Sequence, residues 1–294
     1  MENRPPAEID ITEQTVAELL AEQRPDLVNL PLTKAGEGWD NAMFRLGTDL
    51  AVRLPRREAS VPLIEHEQRW LPVLAPRLPI PIPAPVHAGT PGNAFGWPWS
   101  IIPWVEGDIA LGAELGDPAS DARRLGLFLS ALHQPADPRA PDNPYRGQDV
   151  RSLEERVISN LSKADLPSDD HVLARWRRAA DVAVHAGEPR WVHGDLHGLN
   201  VLVAGGQIAS VIDFGDITAG DPAVDLPIGW MLFDGPEREQ FRAAVGADDA
   251  QWSRGWAWAM HFAIVYLANS ADHPQLQRQG DQLLATLMAD QPDG

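Results

Sequence analysis

The sequence predicts an α+β chain folded in two lobes. A small antiparallel-sheet lobe occupies residues 1–103, and a larger, mainly helical lobe occupies 104–294. Three observations carry this reading. Short extended segments, separated by turns containing Gly or Asp, fill the first hundred residues. Amphipathic helical spacing dominates from Ser120 onward. Between the later helices lies a tight hairpin on Gly205-Gly206, with carboxylates close to both of its ends. Strands gathered at one end of a chain and helices at the other segregate in space as they do in sequence.

In order along the chain, residues 1–8 read as disordered. Ile11 to Glu22 has helical spacing through Ile11, Val16, Leu19 and Leu20, with Thr12 or Thr15 to cap it and Pro25 to end it. An extended segment begins at Leu30. The loop Ala35-Gly36-Glu37-Gly38-Trp39-Asp40-Asn41 precedes a strand over Ala42–Leu46, and Leu50–Leu54 is the next strand. Arg56 and Arg57 follow Pro55 and read as exposed. Val61 to Leu78 reads as a helix with Pro62 in its first turn and Pro72 bending it. Leu63, Glu67, Trp70, Leu71 and Leu74 share one face of that helix. The Pro-rich stretch Leu78–Val86 is extended, and Trp97–Ile102 is a strand. Helices follow over Ser120–His133, Ser152–Leu161 and Asp170–Ala186, with a loop over 134–149. Asp221-Pro222 supplies a side-chain cap with Pro at the first helical position. Trp230, Trp252, Trp256 and Trp258 lie on the terminal helices and read as core.

The stretch Trp191–Asp216 holds the densest chemistry: HGDLHGLN, a hairpin, then IDFGD. Asn200–Val203 and Ile208–Ile212 read as paired strands across Ala204-Gly205-Gly206-Gln207. A turn centred on the two glycines sets Asn200 opposite Val211. Asp213 then lies on the same face, a diagonal neighbour of Asn200 at roughly 7–8 Å. An amide oxygen and a carboxylate at that separation can converge on a hard cation, and Mg²⁺ suits such oxygen donors.

Asp195 and Asn200 have the D-L-x-x-x-N spacing of a kinase catalytic loop, and Asp213-Phe214-Gly215 matches the metal-binding DFG that follows it. Here the chain resembles the aminoglycoside phosphotransferase family, protein-kinase-like enzymes that phosphorylate small hydroxylated molecules. The resemblance runs from Gly36 to the last helices and implies a bilobal protein-kinase-like fold. It implies that Asp195 is the catalytic base, that Asn200 and Asp213 hold Mg²⁺, and that ATP or GTP is the co-substrate. Gly36, Gly38 and Asn41 fall in the nucleotide-positioning loop. Arg53 stands where kinases carry Lys, a planar fork in place of a point charge, and Lys34 is its alternative for phosphate. Glu67, a carboxylate in an apolar stripe that needs a partner, is the expected mate of Arg53 ahead of Glu65. The Pro103 carbonyl and the Val105 N–H would meet the nucleobase at the hinge. His193, Asp221 and Asp225 would give structural support, and His197 is unassigned.

The implied activity is phosphorylation of an antibiotic such as an aminoglycoside or macrolide. Kinases of metabolites such as choline or sugars remain an alternative, as does a non-catalytic nucleotide-binding protein, since Arg53 replaces Lys. A third alternative is a metal enzyme using His193, Asp195 and His197. Net charge is −18, which disfavours nucleic acid as a partner and favours a cationic acceptor. Asp248, Asp249 and Asp272 are candidates to meet such cations. There is no cysteine, no apolar run long enough for a membrane helix and no signal-peptide pattern. The expectation is a cytoplasmic monomer or homodimer.

Overall fold

The computed structural model describes residues 5–290 apart from 165, 167, 168 and 183. Residues 1–4 of the expected disordered start lie outside that set. Glu8, expected in the same segment, is pinned: its N–H donates to the Arg56 carbonyl at 2.9 Å, and its carboxylate accepts from Glu58 N at 2.8 Å. Helix α1 (Glu13–Gln23) starts in a capping box, Thr12 with Thr15, and turns Val16, Leu19 and Leu20 inward. Strands β1 (Leu32–Glu37), β2 (Asn41–Leu46) and β3 (Leu50–Pro55) form a meander. Strands β4 (His87–Gly89) and β5 (Trp99–Pro103) complete an antiparallel sheet of order β1-β2-β3-β5-β4. Val16, Leu19, Phe44, Leu54, Trp99 and Ile101 fill the small core beneath it.

Helix α2 (Val61–Leu74) follows β3 and runs into a 3₁₀ turn over Ala75–Arg77, shorter than the sequence suggested. Its buried face is Ile64, Glu67, Trp70, Leu71 and Leu74, so Ile64 takes the place expected for Leu63. The second half of α2 packs in the larger core, where the Trp70 ring lies 4.8 Å from Trp191. This helix therefore ties the two lobes together, and its hydrophobic contacts cross the boundary expected at residue 103.

The larger lobe opens with the short strand β6 (Asp108–Ile109) and α3 (Pro118–Leu132), capped by Asp117. Helices α4 (Glu154–Ala164) and α5 (Asp169–Ala180) follow, the latter ending before the Ala186 expected. Strand β7 (Arg190–Val192) pairs with β10 (Thr218–Gly220), and β8 (Val201–Ala204) pairs with β6 and β9 (Gln207–Val211). After Asp221 the chain forms a 3₁₀ turn over Pro222–Asp225 in place of the expected helix. Then come α6 (Ile228–Leu232), α7 (Gly235–Val245), α8 (Asp249–Asn269) and α9 (Pro274–Ala289). Helix α8 is buried on nearly every side from Arg254 to Ile264, as a helix apolar all round must be. Trp256 and Trp258 are inside it, and Trp252 stacks on Trp230 at 4.1 Å. Among the described residues, no helix is long and apolar enough to cross a membrane.

Candidate active site

A cleft of about 410 Å³ opens between the sheet and the hairpin. Gly36, Gly38, Asn41, Arg53, Pro103, Val105 and Asp213 all line it. A β-bulge between Lys34 and Gly36 bends β1 over the cleft. A Cβ built on Gly36 would meet nothing within 4 Å, so the missing side chain leaves space there. Arg56 was expected to be exposed but is buried, only 4 % accessible. Its guanidinium donates to the Gly38 carbonyl at 3.1 Å and lies 3.2 Å from Glu37. Arg57 pairs with Asp40 at 2.6 Å. The two arginines pin the loop from below, and Lys34 is engaged by Glu37 at 2.6 Å.

At the hinge, Trp104 N donates to the Asp49 carbonyl at 2.8 Å. That bond makes Leu50–Pro103 a non-hydrogen-bonded pair of the β3–β5 ladder. The Pro103 carbonyl therefore points away from β3, and a residue without an N–H suits that position. Met43 and Ile102 on the sheet side and Leu202 and Ile212 on the hairpin side give the cleft apolar walls.

Arg53 sits at the back of the cleft. One terminal nitrogen reaches both Glu67 oxygens at 2.6 and 2.8 Å, and the other reaches Asp213 Oδ1 at 2.9 Å. The Asn41 amide, oriented so that both its ends are satisfied, accepts from Arg53 Nε and Nη2 at 2.9 and 2.8 Å. All five N–H donors of the guanidinium thus have partners within the protein. Burial alone would lower the Arg53 pKa; Glu67 and Asp213 outweigh it and hold the guanidinium charged. Burial pushes the Glu67 carboxyl up to about 7, against the pull of Arg53 and with a further push from Asp213. One arginine serves two carboxylates, and the buried one is the one whose charged form is disfavoured. Glu67 also accepts from Phe214 N at 3.1 Å, which ties α2 to the segment after the hairpin.

The hairpin register differs by one residue from the sequence expectation. Val201, not Asn200, faces Val211, and Ile212 N donates to the Asn200 carbonyl. Gly205 and Gly206 form the turn as expected, both with positive φ. An irregularity beside Leu202/Val203 then absorbs one extra residue of β9, which the glycine turn alone does not reveal. Asp213 consequently leaves the strand with φ +63°, and the left-handed backbone, not the pleat, aims its side chain.

The loop from His193 to Asn200 is held from several directions. Asp225 accepts from His193 N and Gly194 N at 2.8 and 2.9 Å and from His133 Nε2 at 3.0 Å. Asp225 is fully buried, so these three donors are what satisfy it. Asp221 caps Ala223 and forms a buried pair with Arg254 at 2.6 Å. Gly194 has φ +85°, and a Cβ there would come within 2.7 Å of the Asp216 carbonyl oxygen. His193 donates from Nε2 to the Ile212 carbonyl at 3.0 Å and accepts on Nδ1 from Asp195 N at 3.3 Å. Both ring nitrogens are spent on the backbone, which corrects the reading of His193, Asp195 and His197 as a metal triad. Among the described residues, no group of three His, Asp or Glu side chains is placed to hold a metal.

Asp195 presents Oδ1 to Arg146 at 2.7 Å and Oδ2 to His197 Nε2 at 3.4 Å. Burial would raise its pKa, but His197 and Arg146 outweigh it and hold the carboxyl below the usual carboxylate range. Arg146 also binds Asp216 at 3.0 Å and lies over the Phe262 ring at 5.8 Å. Sequence reasoning missed this arginine, which lies in the Pro- and Asp-rich loop before α4. The loop is latched onto β10 and the turn after it: Thr218 Oγ1 donates to the Pro141 carbonyl, and Asp221 N donates to the Gly147 carbonyl, each at 2.6 Å. Asn200 donates Nδ2 to the Asp195 carbonyl at 2.9 Å, which turns its oxygen the other way. Asp248 caps α8 and Asp249 pairs with Arg242. Thirteen residues of helix separate Asp249 from Phe262, about 20 Å, so both lie far from Asp195.

The two lobes, the cleft between them and the loop beneath it define a protein-kinase-like fold. The chain belongs to the aminoglycoside phosphotransferase family: the model of the phosphotransferase enzyme family matches residues 31–262. Among solved structures, it is similar to the GDP complex of wild-type aminoglycoside 2'-phosphotransferase-IIIa. That match has 19 % identity and a TM-score of 0.71, over 95 % of this chain and 99 % of the other. It is similar to macrolide 2'-phosphotransferase type I, with 20 % identity and a TM-score of 0.61 over 94 % and 98 %. It is also similar to the streptomycin–ATP–APH(2")-IIa ternary complex, with 19 % identity and a TM-score of 0.58 over 94 % and 97 %.

Proposed function

We propose that the chain transfers the γ-phosphoryl group of ATP or GTP to a hydroxyl of a small molecule, an antibiotic of the aminoglycoside or macrolide kind. One observation carries this. A carboxylate held ionised, Asp195, and a second carboxylate anchored by arginine, Asp213, flank one hairpin beside a cleft of nucleotide size. The similar structures of an aminoglycoside phosphotransferase with GDP, of one with streptomycin and ATP, and of a macrolide phosphotransferase support the reading.

In this mechanism the Pro103 carbonyl and Val105 N–H meet the base between the apolar walls. The loop carrying Gly36, Gly38 and Asn41 closes over the phosphates. Arg53, held by Glu67, reaches the α/β-phosphates by exchanging its contact with Asn41 or Asp213. Asn200 and Asp213 offer hard oxygen donors that fit Mg²⁺. When bound, that ion neutralises phosphate charge. Asp195 orients the acceptor hydroxyl and takes its proton as the acceptor oxygen bonds to phosphorus. The bond from phosphorus to the bridging oxygen breaks, and the nucleoside diphosphate leaves. A loose transition state asks mainly for positioning and charge neutralisation, so a low pKa at Asp195 does not hinder it. Arg146 positions Asp195 by occupying Oδ1, and Oδ2, beside His197 Nε2, receives the acceptor proton. Asp225 and Asp221, with His193, keep the loop in place. We further propose that the lobes divide after Pro103 and that the protein works in the cytoplasm without nucleic-acid or membrane partners.

The test is nucleoside diphosphate release with Mg²⁺ and ATP or GTP across aminoglycosides, macrolides, cyclic-peptide antibiotics, choline and sugars. Release that depends on an aminoglycoside or macrolide is the expected result. Release with choline or a sugar alone would make the chain a metabolite kinase. Nucleotide binding without release for any acceptor would contradict phosphotransfer.

A further inference from the structure

Some buried polar atoms have no hydrogen-bond partner among the described residues. The indole N–H groups of Trp70, Trp256 and Trp258 are of this kind, and they are scattered through apolar cores. Two other side chains share one location. Gln279 is 3 % accessible and leaves both amide atoms unpaired; Tyr266 is 7 % accessible and leaves its hydroxyl unpaired. Leaving a buried donor or acceptor unsatisfied costs the fold stability. Native folds rarely carry several such groups side by side without a use for them.

Neither lines the nucleotide cleft, and both lie against the loop that carries Asp195. A Cβ built on Gly198 would lie 3.3 Å from Gln279 Nε2, so the amide sits directly against the loop. The Tyr266 ring stands edge-on to His197, with centroids 6.4 Å apart. His197 in turn touches Asp195. Gly280, next to Gln279, packs against Tyr266: its built Cβ falls 3.1 Å from Tyr266 Cβ. Burial, with the Asp195 charge added to it, raises the Tyr266 pKa, so the phenol stays protonated and can donate.

We infer that Tyr266 and Gln279 form a subsite that hydrogen-bonds an uncharged, hydroxyl-bearing ring of the acceptor beside the hydroxyl that Asp195 receives. This rests on the phosphotransfer reading. The chemistry favours a neutral group over an ammonium. Gln279 offers one acceptor and two donors, Tyr266 offers a hydroxyl, and a sugar-like hydroxyl can pair with each. An ammonium has no lone pair to accept from the Gln279 amide N–H groups, which it would leave unpaired.

The experiment uses Tyr266→Phe and Gln279→Met, each close in shape to the parent. Thermal unfolding is measured first, then transfer to the acceptor that gives the most nucleoside diphosphate release in the panel above. Groups without partners in the fold contribute nothing to it, so Tm stays level or rises in both variants. The KM of the acceptor rises about tenfold per lost hydrogen bond, as about 1.4 kcal/mol would give, while the KM of the nucleotide is unchanged. A fall in Tm of about 2–4 °C or more in either variant would mean that the group has a partner inside the fold, such as a bound water. That result, or an acceptor KM equal to the parent's, overturns the subsite and leaves phosphotransfer standing. A parent protein that transfers to no member of the panel overturns phosphotransfer, and the subsite with it.

Discussion

Two arginines, one on each side of the hairpin, each hold two carboxylates, and they do so in opposite settings. Arg53 lies on a strand, with 8 % of its side chain exposed, between Glu67 on a helix and Asp213 after the hairpin. Arg146 lies on a loop, with 21 % exposed, between Asp195 and Asp216. Around Arg53 every donor has a partner and the carboxylate behind it is nearly inaccessible, so the cluster is part of the fold as much as of the site. Around Arg146 both carboxylates remain about a third exposed, at 29 % and 32 %. Water screens both carboxylates of the second cluster, whereas in the first it reaches Asp213 but hardly the Arg53–Glu67 pair. Disturbing Arg53 should therefore damage stability and nucleotide handling together, whereas disturbing Arg146 should change chemistry and leave the fold intact.

The largest effect falls on the acceptor side. Asp195→Asn keeps the shape and the Arg146 contact but removes the proton acceptor. It should lower kcat by about 10³-fold or more with nucleotide affinity unchanged, within the range of a lost general base. Steady-state kinetics with nucleotide titration checks this.

Arg53→Ala leaves Glu67 buried beside Asp213 with no cation between them. A stability loss of about 3–5 kcal/mol is expected, the usual result of breaking a buried pair, and urea unfolding measures it. Arg53→Lys should recover part of the stability, because one ammonium cannot reproduce a fork shared among three partners. If Arg53→Ala unfolds like the parent, the contrast between the two clusters is broken.

Arg146→Met should cost about 10–100-fold in kcat and little in Tm. Its diagnostic reading is the pH profile. Asp195 has a depressed pKa, so it stays charged, and the parent should show no acid limb from it down to about pH 4. The same depression contributes stability above the ordinary carboxylate pKa that is lost as pH falls through the lower folded value. Without Arg146 the acid limb should move up in pH. A profile unchanged in the variant would remove the positioning role.

The smallest effect concerns Glu67. Its carboxyl rises from 4.5 to about 7 on folding, so the folded state binds the extra proton. That contribution is fully present below pH 4.5 and is lost as pH rises through about 7. The parent should lose Tm across this window, and Glu67→Gln, neutral throughout, should give a flatter curve.

How far the sequence could be read follows from the same two clusters. Glu67 could be picked out because helical periodicity puts a carboxylate on a buried face, and Arg53 because it stands in the slot where the resembled kinases carry Lys. The loop from His193 to Asp213 could be read because its groups lie within one short stretch of chain. Arg146 could not, since 49 residues separate it from Asp195 and no periodicity governs the loop it stands on. Arg56 looked exposed from its place after Pro55, but the loop over residues 35–41 folds back and supplies carbonyls that bury it. The hairpin was off by one residue because a bulge leaves no mark in a sequence whose turn residues are ideal. Tyr266 and Gln279 carry no motif, and only their burial without partners sets them apart.

The measurement that bears most directly on the central claim is the mass of the acceptor after incubation with the parent and with Asp195→Asn, each saturated with Mg²⁺ and nucleotide. The account predicts an acceptor heavier by one phosphoryl group with the parent and none above background with the variant, although both bind nucleotide equally. Equal product from both proteins would show that Asp195 is not the group that receives the hydroxyl proton and would contradict the mechanism built around it.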